Sequence, residues 1–394
     1  MIVRHLSLTD FRNYASAEVA LEPGPNLFVG RNGQGKTNLV ESIGYLSSLG
    51  SHRVSSDQAL IRAGAESAVV RARLAHDGRE LLVELQLNRS APNRAQVNRA
   101  AVKPRELPRY CSSVLFAPED LALVRGEPST RRRFVDGLLG IRSPRLLGVF
   151  ADYDRVLKQR NALLKSARAS GLKEGRLSTL EVWNDRLVEL GTEIMAERIA
   201  VVAALGPRVV EAYQAVAGVD QQPALAPVLS VFSEHPDADD EESTHGDTGE
   251  RTRAELEQAF RSALERVARA ERERGITLCG PHRDDVLFTL NGLPAKGYAS
   301  HGESWSFALS LKLACAELIR TDSATGDPVV ILDDVFAELD QGRRGRLADA
   351  VKGYEQVLIT AAVYDDVPEE LTAHTVRIQA GTIVEQAESE HADV

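Results

Sequence analysis

Residues 28–43, FVGRNGQGKTNLVESI, place Gly30, Gly35, Lys36 and Thr37 at the spacing G-x-x-x-x-G-K-[ST] of a P-loop. In such a loop the backbone N–H groups curl around phosphate oxygens at a helix N-terminus. The candidate nucleotide-binding set is therefore Gly30, Arg31, Asn32, Gly33, Gln34, Gly35, Lys36, Thr37 and Asn38. Lys36 is expected to reach the β- and γ-phosphates of ATP, and the Thr37 hydroxyl to ligate Mg²⁺. The bland alternative, a glycine-rich turn that happens to carry a lysine, fits the setting poorly: apolar NLFV precedes the loop and helical TNLVESIGYLSSL follows it. A second acidic element, PVVILDD at 328–334, is a β-branched strand ending in two acids. Asp333 is expected to help hold Mg²⁺, and Asp334 to polarise the attacking water, so that Asp334 and Lys36 are the candidate catalytic residues. A strand ending in an Asp-rich turn is the competing reading. The carboxyl end of an apolar strand, where open α/β sheets bind ligands, favours catalysis.

These residues need elements to hold them. The opening strand IVRHLSL, the P-loop strand and its helix are followed by AVVRARLA, ELLVELQL and RAQVNR, whose alternation predicts an antiparallel sheet with one wet face. Residues 146–270 read as mainly helical, with Trp183, Leu187, Leu190 and Ile194 forming an apolar stripe that suits a helix core better than an exposed arm. Apolar strand material returns at VVILDDVFAELD. The fold class expected is α/β: a P-loop ATPase head with an antiparallel β subdomain and an inserted helical domain. Its segments are 1–145 and 271–386 for the two parts of the ATPase lobe, 146–270 for the helical insertion with an acidic loop at 233–252, and an acidic tail at 387–394.

Composition narrows the partners. No run approaches a membrane span, MIVRHLSLTDF lacks the build of a signal peptide, and a cytoplasmic protein without a membrane partner is expected. Cys111, Cys279 and Cys315 are odd in number and far apart, so neither a disulfide framework nor a zinc site is indicated. The net charge of −10 is unevenly spread, because residues 234–250 hold eight acids and no Lys or Arg, whereas residues 85–133 carry ten Lys or Arg against four acids. A basic run is usually a solvated face. The alternative is a phosphate-binding surface for DNA, with Arg125, Arg131, Arg132, Arg133, Arg155, Lys158 and Arg160 as candidates. No base-reading motif is present, so recognition of backbone and structure is expected.

Ser300, Gly302 and Glu303 stand before a helix in YASHGESWSFALSLKLACAEL and could hold an anion at its N-terminus, although Ser there is also a good N-cap. Their order adds weight. P-loop, long insertion, S-x-G-[QE], ILDD and then AELD at 337–340 resembles the head of the ABC ATPase superfamily. In that superfamily the signature of one subunit contacts the γ-phosphate bound by the other. More narrowly, FRNY at 11–14, GRNGQGKTN at 30–38, SHR at 51–53, APEDLALVRGEPSTRRRFVD at 117–136, GPHRDD at 280–285 and LDDVFAELD at 332–340 resemble the RecF family, relatives of the structural-maintenance-of-chromosomes heads. The resemblance implies an ATP-dependent homodimer with slow hydrolysis that binds DNA at gaps and junctions. It also implies RecR and RecO as partners in loading RecA, and support of replication and the SOS response. The competing classes are the ATPase of a membrane transporter and a monomeric P-loop kinase. Two family positions depart from the superfamily. The Q-loop glutamine has no match, with Glu119 or Asp120 as the candidate, and Thr360 stands near the place of the switch histidine.

Overall fold

The computed structural model describes residues 1–54, 56–170, 178–233, 251–323 and 326–384. The expected acidic loop at 234–250 and the acidic tail lie outside the described residues. The chain divides into two compact units, the first comprising Met1–Leu121, Glu211–Asp220 and Trp305–Val394, the second Ala122–Val210 and Gln221–Ser304.

The first unit contains two six-stranded sheets. One is antiparallel, in the order Tyr14–Ala20, Ile2–Phe11, Ser67–His76, Arg79–Asn88, Arg94–Val97, Ala100–Val102. Two of its three ten-residue strands, Ser67–His76 and Arg79–Asn88, are joined through Asp77 and Gly78, both at positive φ, the backbone a two-residue hairpin turn requires. The other sheet runs Thr382–Val384, His374–Gln379, Gly24–Val29, Gln356–Ala361, Val329–Asp333, Ser113–Phe116, and every pairing except that of the first two is parallel. Val329 to Leu332 are fully buried, which explains why this strand reads as a continuous β-branched run without alternation.

Register positions the chemistry. Phe28 pairs with Thr360, and Asp333 pairs with Thr360 on the strand's other side, so the carboxyl ends of three parallel strands share one edge. The helix Lys36–Ser48 leaves that edge and buries Leu39, Val40, Ile43 and Leu46, a helical spacing. These residues belong to one core with Leu6, Val70 and Val83 of the antiparallel sheet and Val329, Ile331 and Leu358 of the parallel sheet. Each such side chain contributes about 1.5–3 kcal/mol by leaving water, so the P-loop is anchored by the largest favourable term available to the unit.

The second unit holds the helices Pro128–Arg142 and Leu146–Ser170, most of Ser178–Ala217, the helix Arg253–Arg274, and a small antiparallel sheet of Ala224–Val228, Asp285–Leu290 and Leu293–Pro294. Thr252 starts Arg253–Arg274 through a capping box with Glu255, and Gly275 ends it at φ 72. Leu187, Leu190 and Ile194 of the apolar stripe are buried, with Trp183 half-buried. One expectation is corrected here: among the described residues the helix segment Leu180–Ala217 is long and apolar enough by composition to cross a membrane, with an 18-residue window of mean hydropathy 1.3. Its interior explains the composition. Leu187, Val188 and Met195 are buried in this unit, and Arg198 is paired there with Asp136. Its apolar residues are thus buried along one side of the helix only.

Candidate nucleotide site

Gly30 and Gly35 are glycines for steric reasons. A Cβ on Gly30 would lie 2.3 Å from the Ile378 carbonyl oxygen, and one on Gly35, at φ 111, would lie 2.7 Å from Asn13 Nδ2 and 2.9 Å from the Tyr14 hydroxyl. Lys36 is buried at the helix start, and its ammonium donates to the carbonyls of Gly30 at 2.7 Å and Arg31 at 3.4 Å. Arg31, Asn32 and Gly33 form the exposed tip of the loop. Gln34 is held by the neighbouring strand pair, its side-chain oxygen accepting from Ala380 N and its carbonyl from Gly381 N.

The FRNY segment supplies the back of this loop, a role that sequence reading left unassigned. Phe11 pairs with Tyr14 in a hairpin whose turn residue Arg12 sits at φ 54. Asn13 donates to the Gln34 carbonyl and Tyr14 to that of Gly35. Arg12 donates from Nε and Nη2 to both oxygens of the buried Glu41, at 2.8 and 2.7 Å. Asn38 joins the same support, donating to Asn13 Oδ1 and accepting from Arg53. In the sequence the segment stood out by its family resemblance and by a polar, turn-forming pair between apolar neighbours.

Asp333 lies within reach of the P-loop. Its Oδ1 accepts from Thr37 Oγ1 at 2.8 Å and from Thr360 Oγ1 at 2.6 Å. Burial pushes its carboxyl up to about 6, and the two hydroxyls offset part of that shift. A buried carboxylate beside a threonine hydroxyl is an all-oxygen donor set suited to a hard divalent cation, so Thr37 and Asp333 fit Mg²⁺. Asp334 follows at φ 52, a strained position for a residue with a side chain, with its N–H held by Thr360 Oγ1 at 2.9 Å. The Asp334 carboxylate has no hydrogen bond or ion pair among the described residues. His52 of the SHR segment brings Nε2 to 3.8 Å from Asp333 Oδ2, too long for a hydrogen bond, and burial lowers its pKa. Of the two Q-loop candidates, Asp120 is committed to the Ala117 N–H and to Lys312, whereas Glu119 is exposed.

Ser300, Gly302 and Glu303 belong to the second unit. Ser300 is exposed, and a capping box joins it to Glu303: Ser300 N donates to Glu303 Oε2 at 2.7 Å, and Glu303 N to Ser300 Oγ at 3.3 Å. Arg125 donates to Ser304 Oγ and to the Ala299 carbonyl behind this turn, so part of its donor capacity serves the signature.

Two of the candidate DNA contacts are corrected. Arg131 is buried, with both guanidinium arms on Asp285 at 2.7 Å, and Arg160 is buried against Glu271 at 2.6 Å, with further bonds to Asn184 and Thr277. Each is an internal ion pair, closed to a phosphate. Arg132 is half-buried and donates to the Asp284 carbonyl. Arg133 is exposed, as are Arg155 and Lys158, whose partners Asp152 and Asp154 lie one helical turn away. The GPHRDD segment is a scaffold within this unit. His282 Nδ1 lies 2.9 Å from the Tyr153 hydroxyl, Asp284 accepts from Ser230, and Asp285 holds Arg131.

The chain is similar to known proteins over nearly its whole length. Residues 2–384 match the family described as RecF/RecN/SMC N terminal domain. A protein named DNA replication and repair protein RecF from Leifsonia xyli subsp. xyli is 68% identical over 98% of this chain and 100% of its own length. One of the same name from Streptomyces avermitilis is 51% identical over 97% of the chain and 99% of its length. A solved structure titled as the recombination mediator protein RecF with ATP in the RecFOR pathway has a TM-score of 0.86 at 25% identity, covering 98% of this chain and 97% of that one. An Smc head bound to the C-terminal winged-helix domain of ScpA has a TM-score of 0.51 at 13% identity and shares the fold.

Proposed function

The chain belongs to the RecF family of DNA replication and repair proteins, and on that premise we propose that it is an ATP-gated DNA-binding recombination mediator. The observation that carries the reading is the 2.8 Å hydrogen bond between Thr37 and Asp333, which joins the P-loop to the second acidic motif across 296 residues of sequence. ATP is the nucleotide. The glycines of residues 30–35 and Lys36 bind its phosphates, and Asp334 is the general base that polarises the attacking water. Thr37 and Asp333 would hold Mg²⁺, which when bound neutralises phosphate charge.

Two copies share each nucleotide: Ser300, Gly302 and Glu303 of one contact the γ-phosphate held by the P-loop of the other. An exposed serine at the head of a 22-residue helix supports this, since the helix dipole favours an anion there. Closure of the dimer joins two weak basic faces into one groove, with Arg133, Arg155, Lys158 and the remaining donors of Arg132 and Arg125 on phosphates. In the cytoplasm such a clamp, seated at DNA gaps and junctions, assists RecR and RecO in loading RecA and supports the SOS response. Its hydrolysis is slow because the switch histidine and the Q-loop glutamine are missing and the base is the shorter Asp334. The test is sedimentation of the protein with and without ATP and with and without gapped DNA. A dimer that requires ATP and is enhanced by gapped DNA is expected; a monomer under all four conditions overturns the reading.

A further inference from the structure

In the SHR segment at 51–53 Arg53 supports the P-loop helix through Asn38, and His52 brings its imidazole to Asp333. His52 Nε2 is buried from solvent, has no hydrogen-bond partner among the described residues, and lies 3.8 Å from Oδ2 of Asp333. The two oxygens of that carboxylate are treated unequally. Oδ1 accepts two hydroxyl donors, Thr37 and Thr360. Both converge on one atom, and Oδ2 accepts no hydrogen bond among the described residues. A donor on Oδ2 would satisfy the second oxygen and add to the hold on the carboxylate.

The neighbours hold His52 near this position. Ser51 Oγ donates to Glu41, and Arg53 donates to Asn38 while lying 4.0 Å from Glu41. Glu41 is in turn gripped by Arg12. Both residues flanking His52 are thus tied to the P-loop helix, and the imidazole between them is directed at the strand Val329–Asp333. Closing a 3.8 Å separation to the ordinary N–H···O distance takes a shift of about 0.9 Å, within the reach of small side-chain rotations. A bridging water has no room, since two hydrogen bonds in series span about 5 Å.

We propose that His52 is a positioning residue of the nucleotide reaction: its Nε2–H donates to Asp333 Oδ2 and fixes the carboxylate that Thr37 and Thr360 hold by the other oxygen. The switch position near the end of the strand Gln356–Ala361 is occupied by Thr360, whose hydroxyl is directed at Asp333. The imidazole of this site is supplied instead from the loop after the P-loop helix. Donors behind a metal-binding carboxylate typically govern metal affinity or activity by 10–100-fold, which sets the size of the effect to look for.

The inference rests on ATP being the nucleotide, and the experiment separates the two. Full-length parent, His52→Gln and His52→Phe are titrated with a fluorescent ATP analogue, once in EDTA and once with Mg²⁺, and thermal unfolding confirms that all three are folded. In EDTA the three should bind alike, because Lys36 and the loop amides are untouched. With Mg²⁺, His52→Phe, which keeps a flat ring but has no donor, should lose about ten-fold or more of the metal-dependent gain in affinity. Turnover should also fall, with KM rising in step with the lost affinity because hydrolysis is slow. His52→Gln, which keeps an N–H, should recover a large part of both. If Phe matches the parent, or Gln is no better than Phe, the positioning role is wrong while ATP binding by the parent stands. If the parent binds ATP under neither condition, it is the nucleotide reading that fails.

Discussion

Thr360 Oγ1 donates to the same oxygen of Asp333 that accepts from Thr37 Oγ1, at 2.6 and 2.8 Å. The hydroxyl also accepts from the Asp334 N–H at 2.9 Å. One side chain on the neighbouring parallel strand therefore orients the candidate metal-binding carboxylate and the backbone of the candidate base together.

Thr360→Val tests that linkage with almost no change of volume. A hydrogen bond to a charged group is worth about 1.5–3 kcal/mol, and its loss leaves a buried carboxylate with one donor fewer and its pKa higher still. ATP turnover is expected to fall by ten-fold or more, while Thr360→Ser retains most of it. Steady-state hydrolysis assays at saturating ATP decide it, and a Val variant as active as the parent would show that Thr360 is packing alone.

A second prediction separates buried from available arginines. Arg131→Ala leaves Asp285 as an unpaired, half-buried charge; breaking a buried pair costs about 3–5 kcal/mol, and the partial exposure of Asp285 puts this one toward the low end. The melting temperature should drop, with DNA affinity lost only as far as folded protein is lost. Arg133→Ala should leave the melting temperature unchanged and flatten the log–log salt dependence of duplex binding by up to about 0.9. Reversed outcomes for the two would restore Arg131 as a contact and remove Arg133.

His282 gives a pH dependence with a definite sign. Burial lowers its pKa from 6.5 to about 4, so between those values the unfolded chain takes up a proton that the folded chain refuses. Its contribution is constant above about pH 6.5 and is lost as pH falls toward 4, up to about 3 kcal/mol at 1.36 kcal/mol per unit. Asp284, raised by burial, acts in the opposite direction, so the difference between two proteins is the informative quantity. Urea midpoints of the parent and His282→Gln from pH 8 to 4.5 should converge as the pH falls, since the parent alone carries this loss. Parallel curves would place His282 in solvent.

The P-loop, the Asp333 strand and the antiparallel sheet were legible because each depends on local pattern: fixed glycine spacing, a β-branched run, strict alternation. What escaped depends on contacts between distant segments. The FRNY turn is an ordinary polar turn until the fold brings Asn13 and Tyr14 against Gln34 and Gly35. Arg131 and Arg160 are indistinguishable in sequence from exposed Arg133 and Lys158, because burial is decided by Asp285 and Glu271, more than a hundred residues away. Charge counted along the chain measures composition, whereas a binding face is made of the charges left unpaired after folding.

The shared active site yields the most discriminating test. If Ser300 and Gly302 contact a γ-phosphate held by the other copy, Ser300→Arg should still bind ATP through Lys36, Thr37 and Asp333. Ser300 is exposed, so a long side chain there is accommodated by the monomer and obstructs only the approach of a second copy. The variant should remain monomeric with ATP, hydrolyse poorly and lose DNA affinity. Lys36→Ala fails for the complementary reason, since a buried triphosphate loses its matched charge. In a mixed dimer of the two variants, one composite site carries both defects and the other joins an intact P-loop to an intact signature. Hydrolysis should therefore return on mixing, toward half of the parental rate per dimer. A monomeric ATPase predicts no recovery, because each inactive chain would stay inactive whatever its neighbour. Turnover and sedimentation are measured on the same mixtures; full turnover by Ser300→Arg alone as a monomer would remove both the trans signature and the clamp built on it.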